Sequence, residues 1–202
     1  PTFQSLREVF FKVTEAPGGW DPVTGDFGFS STKTAPFFRF QSMRKLTGQM
    51  LSCDGVLDLV SSNSSTNTHL ELRQSNADYG CKELIDPCTN LKSFKFFHVE
   101  ANVFTSGGYN DHFNVFLPYE FMTPLAKKAC TLETLCLDYH HETSRWYGAP
   151  QDFFIGPLTH FHTLKDLQLP MANLLGEGDP MLDEEPFDPM PLVNILPASL
   201  ER

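Results

Sequence analysis

The sequence predicts an α/β chain built as an irregular array of repeats, with a parallel sheet lining the concave side and helices and loops outside. Three observations carry this. A pattern of spacing LxxLxL reads most clearly at Leu132-Glu133-Thr134-Leu135-Cys136-Leu137 and Leu164-Lys165-Asp166-Leu167-Gln168-Leu169, each copy preceded by threonine (Thr131, Thr163). Stretches of helical spacing separate the copies. A strand has period 2, so Leu135 and Leu137 face one way while Thr134, Cys136 and Asp138 face the other. One such strand is too short to stand alone, and its apolar face needs a like neighbour.

The chain supplies several. Leu91-x-x-Phe94-x-Phe96 fits with Phe for Leu, and Asn67-x-x-Leu70-x-Leu72 fits with a polar first position. Leu6-x-x-Val9-x-Phe11 fits well, Met43-x-x-Leu46-x-Gly48 loosely, and a seventh copy begins at Leu200. First positions fall at 6, 43, 67, 91, 132, 164 and 200. These steps overlap leucine-rich repeats at the short end and exceed them where loops intrude. Helix then strand, repeated, gives a parallel sheet with right-handed crossovers, an irregular leucine-rich-repeat solenoid. Residues 1–202 read as one such domain of about six repeats, a fragment that starts and ends within repeats.

In order along the chain, Phe3 to Lys12 is the opening strand, and Ala16 to Phe29, rich in Gly, Pro and Asp, a surface loop. Pro36 to Phe40 is a short turn or helix before a strand from Met43 to Ser52, where Gly48 suggests a bulge or close backbone approach. Asp54 to Val60 is a return leg, Ser61 to Thr68 a polar turn, and His69 to Arg73 the next strand. Cys81, Leu84, Ile85 and Cys88 have helical spacing that Pro87 ends. The strand Leu91 to His98 precedes a long loop, Val99 to His112. Phe121, Met122, Leu125, Ala126 and Ala129 trace one face of a helix from Tyr119 to Cys130, with Lys127 and Lys128 in its last turn suiting the dipole. Asp152 caps a helix to about His160 that Pro157 shortens or kinks. Met171 to Leu175 is an outgoing leg, and Leu192 to Leu196 a short helix ended by Pro197.

Composition bounds the function. Hydrophobic content of 41% and 20% charged residues are globular values. The net charge of −10 argues against nucleic acid or an anionic membrane as the main partner, since either demands a basic face. Six acidic residues between Gly176 and Pro191 read as a solvated loop rather than a docking site. Cys53, Cys81, Cys88, Cys130 and Cys136 form no CxxC pair, as expected of reduced thiols in a cytoplasmic or nuclear protein. No apolar run approaches a membrane span.

"THLELRQSN" (68–76), "CKELIDPCTNLKSFKFFH" (81–98), "TLETLCLDYH" (131–140) and "HTLKDLQLPMANLLGE…LPASLER" (162–202) resemble the divergent leucine-rich-repeat region of fungal F-box proteins. The resemblance runs from about Met43 to Arg202. It implies recruitment of a protein substrate to an SCF-type ubiquitin ligase, with the adaptor held through an F-box that these residues do not contain.

The side chains between core positions should line the concave sheet. The candidates for protein binding are Phe10, Lys12, Lys45, Gln49, His69, Glu71, Arg73, Lys95, Phe97, Thr134, Cys136, Asp138, Asp166 and Gln168, with Glu8, Thr47 and Ser93 completing the rows. Exposed Phe10 and Phe97 beside Lys and Arg supply the anchors and orientation that a binding patch needs, against the plainer reading of a solvated face. His140-His141-Glu142 and His160-Phe161-His162 would have to converge to hold a metal, and nothing local fixes that. No GxSxG or Gly-rich phosphate loop is present, and Cys136, the one thiol placed for reactivity, reads as a small filler. The expectation is a non-enzymatic protein-binding domain with no cofactor, the substrate-recognition part of an SCF ligase. The alternatives are a repeat scaffold without a ligase link and, more remotely, a metal-dependent hydrolase.

Overall fold

The computed structural model of the protein describes residues 5–12, 29–30, 35–49, 51–52, 65–73, 81–97, 118–138, 154–175 and 191–200. Strands β1 (Glu8–Lys12), β2 (Phe29–Ser30), β3 (Lys45–Gln49), β4 (Leu51–Ser52), β5 (His69–Arg73), β6 (Ser93–Phe97), β7 (Thr134–Asp138) and β8 (Asp166–Gln168) form two sheets. The larger has six parallel strands in the order β1-β3-β5-β6-β7-β8, and β2 pairs with β4 in a small parallel ribbon. Each LxxLxL copy stacks on the one before it. Val9, Leu46, Leu70, Phe94, Leu135 and Leu167 align across the sheet, and so do Phe11, Gly48, Leu72, Phe96 and Leu137.

The apolar columns close against helices α1 (Ala35–Phe38), α2 (Cys81–Ile85), α3 (Pro118–Ala126), α4 (Met171–Leu175) and α5 (Leu192–Ile195). Phe38, Leu84, Ile85, Phe121, Leu125, Leu174 and Ile195 share one core with the strand residues. The Phe121 ring lies 5.7 Å from that of Phe94 and 5.3 Å from that of Phe96. Each fully buried Leu or Phe contributes about 1.5–3 kcal/mol, so the columns dominate stability.

Successive repeats are also joined by a hydroxyl ladder. In four copies the residue before the first position donates to the first-position carbonyl of the preceding repeat: Ser42 to Leu6 at 2.8 Å, Thr66 to Met43 at 2.9 Å, Thr131 to Leu91 at 2.9 Å and Thr163 to Leu132 at 2.8 Å. One residue on, the carbonyls of Arg7, Arg44, Thr68, Lys92 and Glu133 each accept two backbone N–H groups from the next repeat. Those carbonyls would otherwise lie unpaired where the chain turns into the strand. The polar first position is buried as fully as the others: the Asn67 amide donates to Ser65 Oγ at 2.8 Å, and Ser65 bridges to Cys88.

Several elements differ from the sequence expectation. The Met43–Ser52 strand divides into β3 and β4, which belong to different sheets. Gly48 pairs with Phe11 and Leu72 without an extra residue, so it is no bulge. Phe29, expected in a loop, is in β2. Helix α3 stops at Ala126, which is exposed, while Pro124 is buried. Lys127 and Lys128 therefore lie beyond the helix and bind the end of α2, Lys127 Nζ to Asp86 Oδ1 and Lys128 Nζ to the Asp86 carbonyl, both at 2.9 Å. Residues 154–160 are not helical. Gly156 takes the left-handed region at φ +77°, and Pro157 has no N–H for a helical bond. The backbone N–H groups of Ile155 and Leu158 instead donate to the carbonyls of Asn173 and Ile195. The expected segments 16–28, 54–60, 99–112 and 176–190, and the cap at Asp152, lie outside the described residues.

Candidate functional site

Because the leucine columns turn inward, every alternate residue belongs to one polar face, and strand register arranges these residues in three rows. The first holds Glu8, Lys45, His69, Ser93, Thr134 and Asp166; the second Phe10, Thr47, Glu71, Lys95, Cys136 and Gln168; the third Lys12, Gln49, Arg73, Phe97 and Asp138. Neighbours within a row sit about 4.8 Å apart, the spacing of paired strands. All fourteen candidate residues thus fall on one face of one sheet.

They are not equally accessible. Phe10 is 55% exposed on the edge strand, whereas Cys136 is 3% exposed, and Thr47 and Ser93 are also buried. These short side chains form the floor between longer neighbours. Burial, reinforced by the Asp138 carboxylate, pushes the Cys136 thiol up to about 11. A thiol this buried and this weakly acidic fills the floor of the face rather than serving as a nucleophile. Phe97 is half-buried rather than exposed, because the Arg73 guanidinium lies over its ring at 5.8 Å. Arg73 Nε also donates to Glu71 Oε1, which ties the middle of the face into one unit. Between Phe10, Lys45, Glu71 and Arg73, above Thr47, lies a shallow depression of about 380 Å³. A second, of about 600 Å³, opens at β8 between Lys95, Asp166 and Gln168 and reaches Leu174 and Leu200.

A further row was not apparent from strand alternation. The second residue of each repeat, Arg7, Arg44, Thr68, Lys92, Glu133 or Lys165, borders the face along the N-terminal ends of its strands. Glu133 bridges two of these, with Oε1 2.7 Å from Lys92 Nζ and Oε2 3.4 Å from Lys165 Nζ. Hydrogen bonds from the two lysines hold its carboxyl below the usual glutamate range. Margin and face share one electrostatic environment: partial burial, then Lys45 and Lys92, keep His69 below the ordinary histidine range. The signal for this row was a basic residue directly after four of the six first positions, at Arg7, Arg44, Lys92 and Lys165.

His160 and His162 are exposed, and His140, His141 and Glu142 lie outside the described residues. Among the described residues, no three His, Cys, Asp or Glu side chains are grouped to hold a metal. No described helix is long and apolar enough to cross a membrane.

Compared with known proteins, residues 28–202 match a family model described as a leucine-rich repeat domain. No curated protein and no solved structure matches the chain.

Proposed function

The chain belongs to the leucine-rich repeat domain family, and on that premise we propose that it is a protein-binding module whose partner seats on the polar face of the six-stranded sheet. Domains of this kind are typically non-catalytic interaction modules, and their stacked repeats offer an extended surface. The observation that carries the reading is the juxtaposition of an exposed aromatic, Phe10, with Arg73 around one depression, the guanidinium lying over Phe97 on the next strand. Aromatic and Arg side chains beside a recess are the groups that dominate protein interfaces.

The narrower form of the proposal is substrate recognition for an SCF-type ubiquitin ligase. Its support is the order of the motifs in 81–98, 131–140 and 162–202, which resembles that of F-box proteins. A repeat scaffold without a ligase link would use the same face and differ only in lacking the adaptor.

Two measurements separate these levels. A photo-crosslinking residue at Phe10 or Lys95 should capture protein in cells while one at Lys127, off the face, should not; equal capture at all three positions would remove the assignment. Affinity purification of the full-length protein should recover the ligase adaptor, and its consistent absence would leave the scaffold reading alone.

A further inference from the structure

The strand order leaves β1 at one edge of the large sheet, and among the described residues nothing pairs with its outer side. The Arg7 carbonyl accepts the Lys45 N–H at 3.0 Å. Alternation therefore turns the backbone groups of Arg7, Val9 and Phe11 toward β3 and those of Glu8, Phe10 and Lys12 toward the open edge. An edge of this kind is a template for a further strand. The apolar columns are open at the same end. Val9 and Phe11 are half-buried, whereas Leu46, Leu70, Leu72, Phe94 and Phe96 in the strands behind them are buried. Phe11 packs edge-on against Phe37 with ring centres 4.9 Å apart, and Phe37 against Phe40 at 5.5 Å, so half-buried aromatics flank the edge.

The sequence of the strand identifies what fits there. Glu8-Val9-Phe10-Phe11-Lys12 carries opposite charges at equal distances from a central Phe. We propose that β1 pairs antiparallel with β1 of a second copy about a two-fold axis at Phe10, joining the two six-stranded sheets. In that register Phe10 meets its own counterpart, and Glu8 of each copy meets Lys12 of the other. Each of these pairs exchanges two N–H···O=C bonds, because they are the residues whose backbone groups point outward. On the core side Val9 lies opposite Phe11 of the second copy, which carries the apolar columns across the axis. Opposed charges and an aromatic pair both stabilise antiparallel neighbours. Among the described residues, neither Glu8 nor Lys12 has an ion-pair partner within its own chain.

Other pairings of two copies fit less well. Stacking β8 of one copy on β1 of the next continues the rows but sets Asp166 beside Glu8, like charges side by side, and a head-to-tail contact does not close. Two β8 strands paired about Leu167 would set Asp166 against Gln168, with no charge pair. The two-fold pairing of β1 closes as a dimer. It also makes the polar faces of the two copies continuous, since directly opposite side chains share a face, but it stands whatever that face binds.

Sedimentation velocity of the full chain over a rising concentration series should show a monomer–dimer equilibrium. Lys12→Glu and Glu8→Lys should each weaken it about tenfold, since two attractive pairs become two repulsive ones. Mixed in equal amounts, the two variants should form heterodimers at close to wild-type affinity, because each offers the other its complement. Residue-resolved hydrogen exchange of the unsubstituted chain gives a second readout. The amides of Glu8, Phe10 and Lys12 should gain protection as concentration rises, while those of Val9 and Phe11, already turned to β3, should not change. A monomer at every concentration overturns the proposal. So does a dimer that neither substitution weakens, a mixture of folded variants that does not recover affinity, outward amides that stay unprotected, or species that grow past the dimer. Crosslinking at Lys95, three strands in from the edge, reads partner binding on the polar face separately, so either reading can fail alone.

Discussion

Truncating Leu137 tests the assignment of faces on which everything above depends. Its side chain is fully buried, in register with Phe96 of β6 and within the single core. Leu137→Ala removes three carbons, about 0.8 kcal/mol each or roughly 2.4 kcal/mol of transfer free energy. The cavity left beside rigid strands adds to this, for a total of about 2–5 kcal/mol. For a chain of this size each kcal/mol is worth about 2–4 °C, so a loss of about 3 kcal/mol lowers Tm by roughly 6–12 °C. The adjacent Asp138 sits on the opposite face, and Asp138→Ala should stay within about 0.5 kcal/mol of wild type. Leu137→Asp, which adds a buried charge to the lost packing, should leave the chain unfolded. Urea titrations followed by circular dichroism measure all three. Should Asp138→Ala prove more damaging than Leu137→Ala, the inward and outward faces have been exchanged and the binding rows with them.

The hydroxyl ladder predicts that Thr163→Val, which keeps the shape and removes the donor to Leu132, costs about 0.5–1.5 kcal/mol in the same titration; no measurable change would mean that the ladder is incidental. Burial raises the Cys88 thiol to about 12 from 9.0, so the folded state keeps a proton that the unfolded state releases. Stability should therefore be full below pH 9.0 and fall as pH rises toward 12, by on the order of 1 kcal/mol at pH 10. Cys88→Ala should remove that share of the alkaline loss, and an unchanged pH profile would contradict it. Among Cys88, Cys130 and Cys136, iodoacetamide followed by site-resolved mass spectrometry should find exposed Cys130 modified first and the buried pair only on unfolding.

The strands were legible because the repeat carries its own register. Two apolar positions separated by one, at a fixed offset from a buried first residue, allow one alignment, since a slip by one residue would turn every leucine outward. This is why even the loose copy at Met43 pairs correctly, with Gly48 in the column between Phe11 and Leu72. Helix ends were less legible because their competitors are distant in sequence. The apolar spacing of Phe154, Ile155 and Leu158 is as helical as that of α2. What decides against a helix is that Asn173 and Ile195 offer carbonyls to Ile155 and Leu158, and no local pattern announces partners that come later in the chain.

The same distinction governs the binding face. Alternation along a strand establishes which residues face outward, but accessibility depends on the neighbours across strands. Thr47 lies between Phe10 and Glu71, and Cys136 between Lys95 and Gln168, so each short side chain is walled in by longer ones. Phe97 is covered by Arg73, one strand away. The basic margin follows from the opposite cause. Arg44, Lys92 and Lys165 begin each repeat just where the chain turns into its strand, outside the alternating segment, and only stacking brings them into one line. Stacking thus segregates charge: the margin gathers Arg7, Arg44, Lys92 and Lys165 around Glu133, while the three rows of the face hold four basic and four acidic side chains.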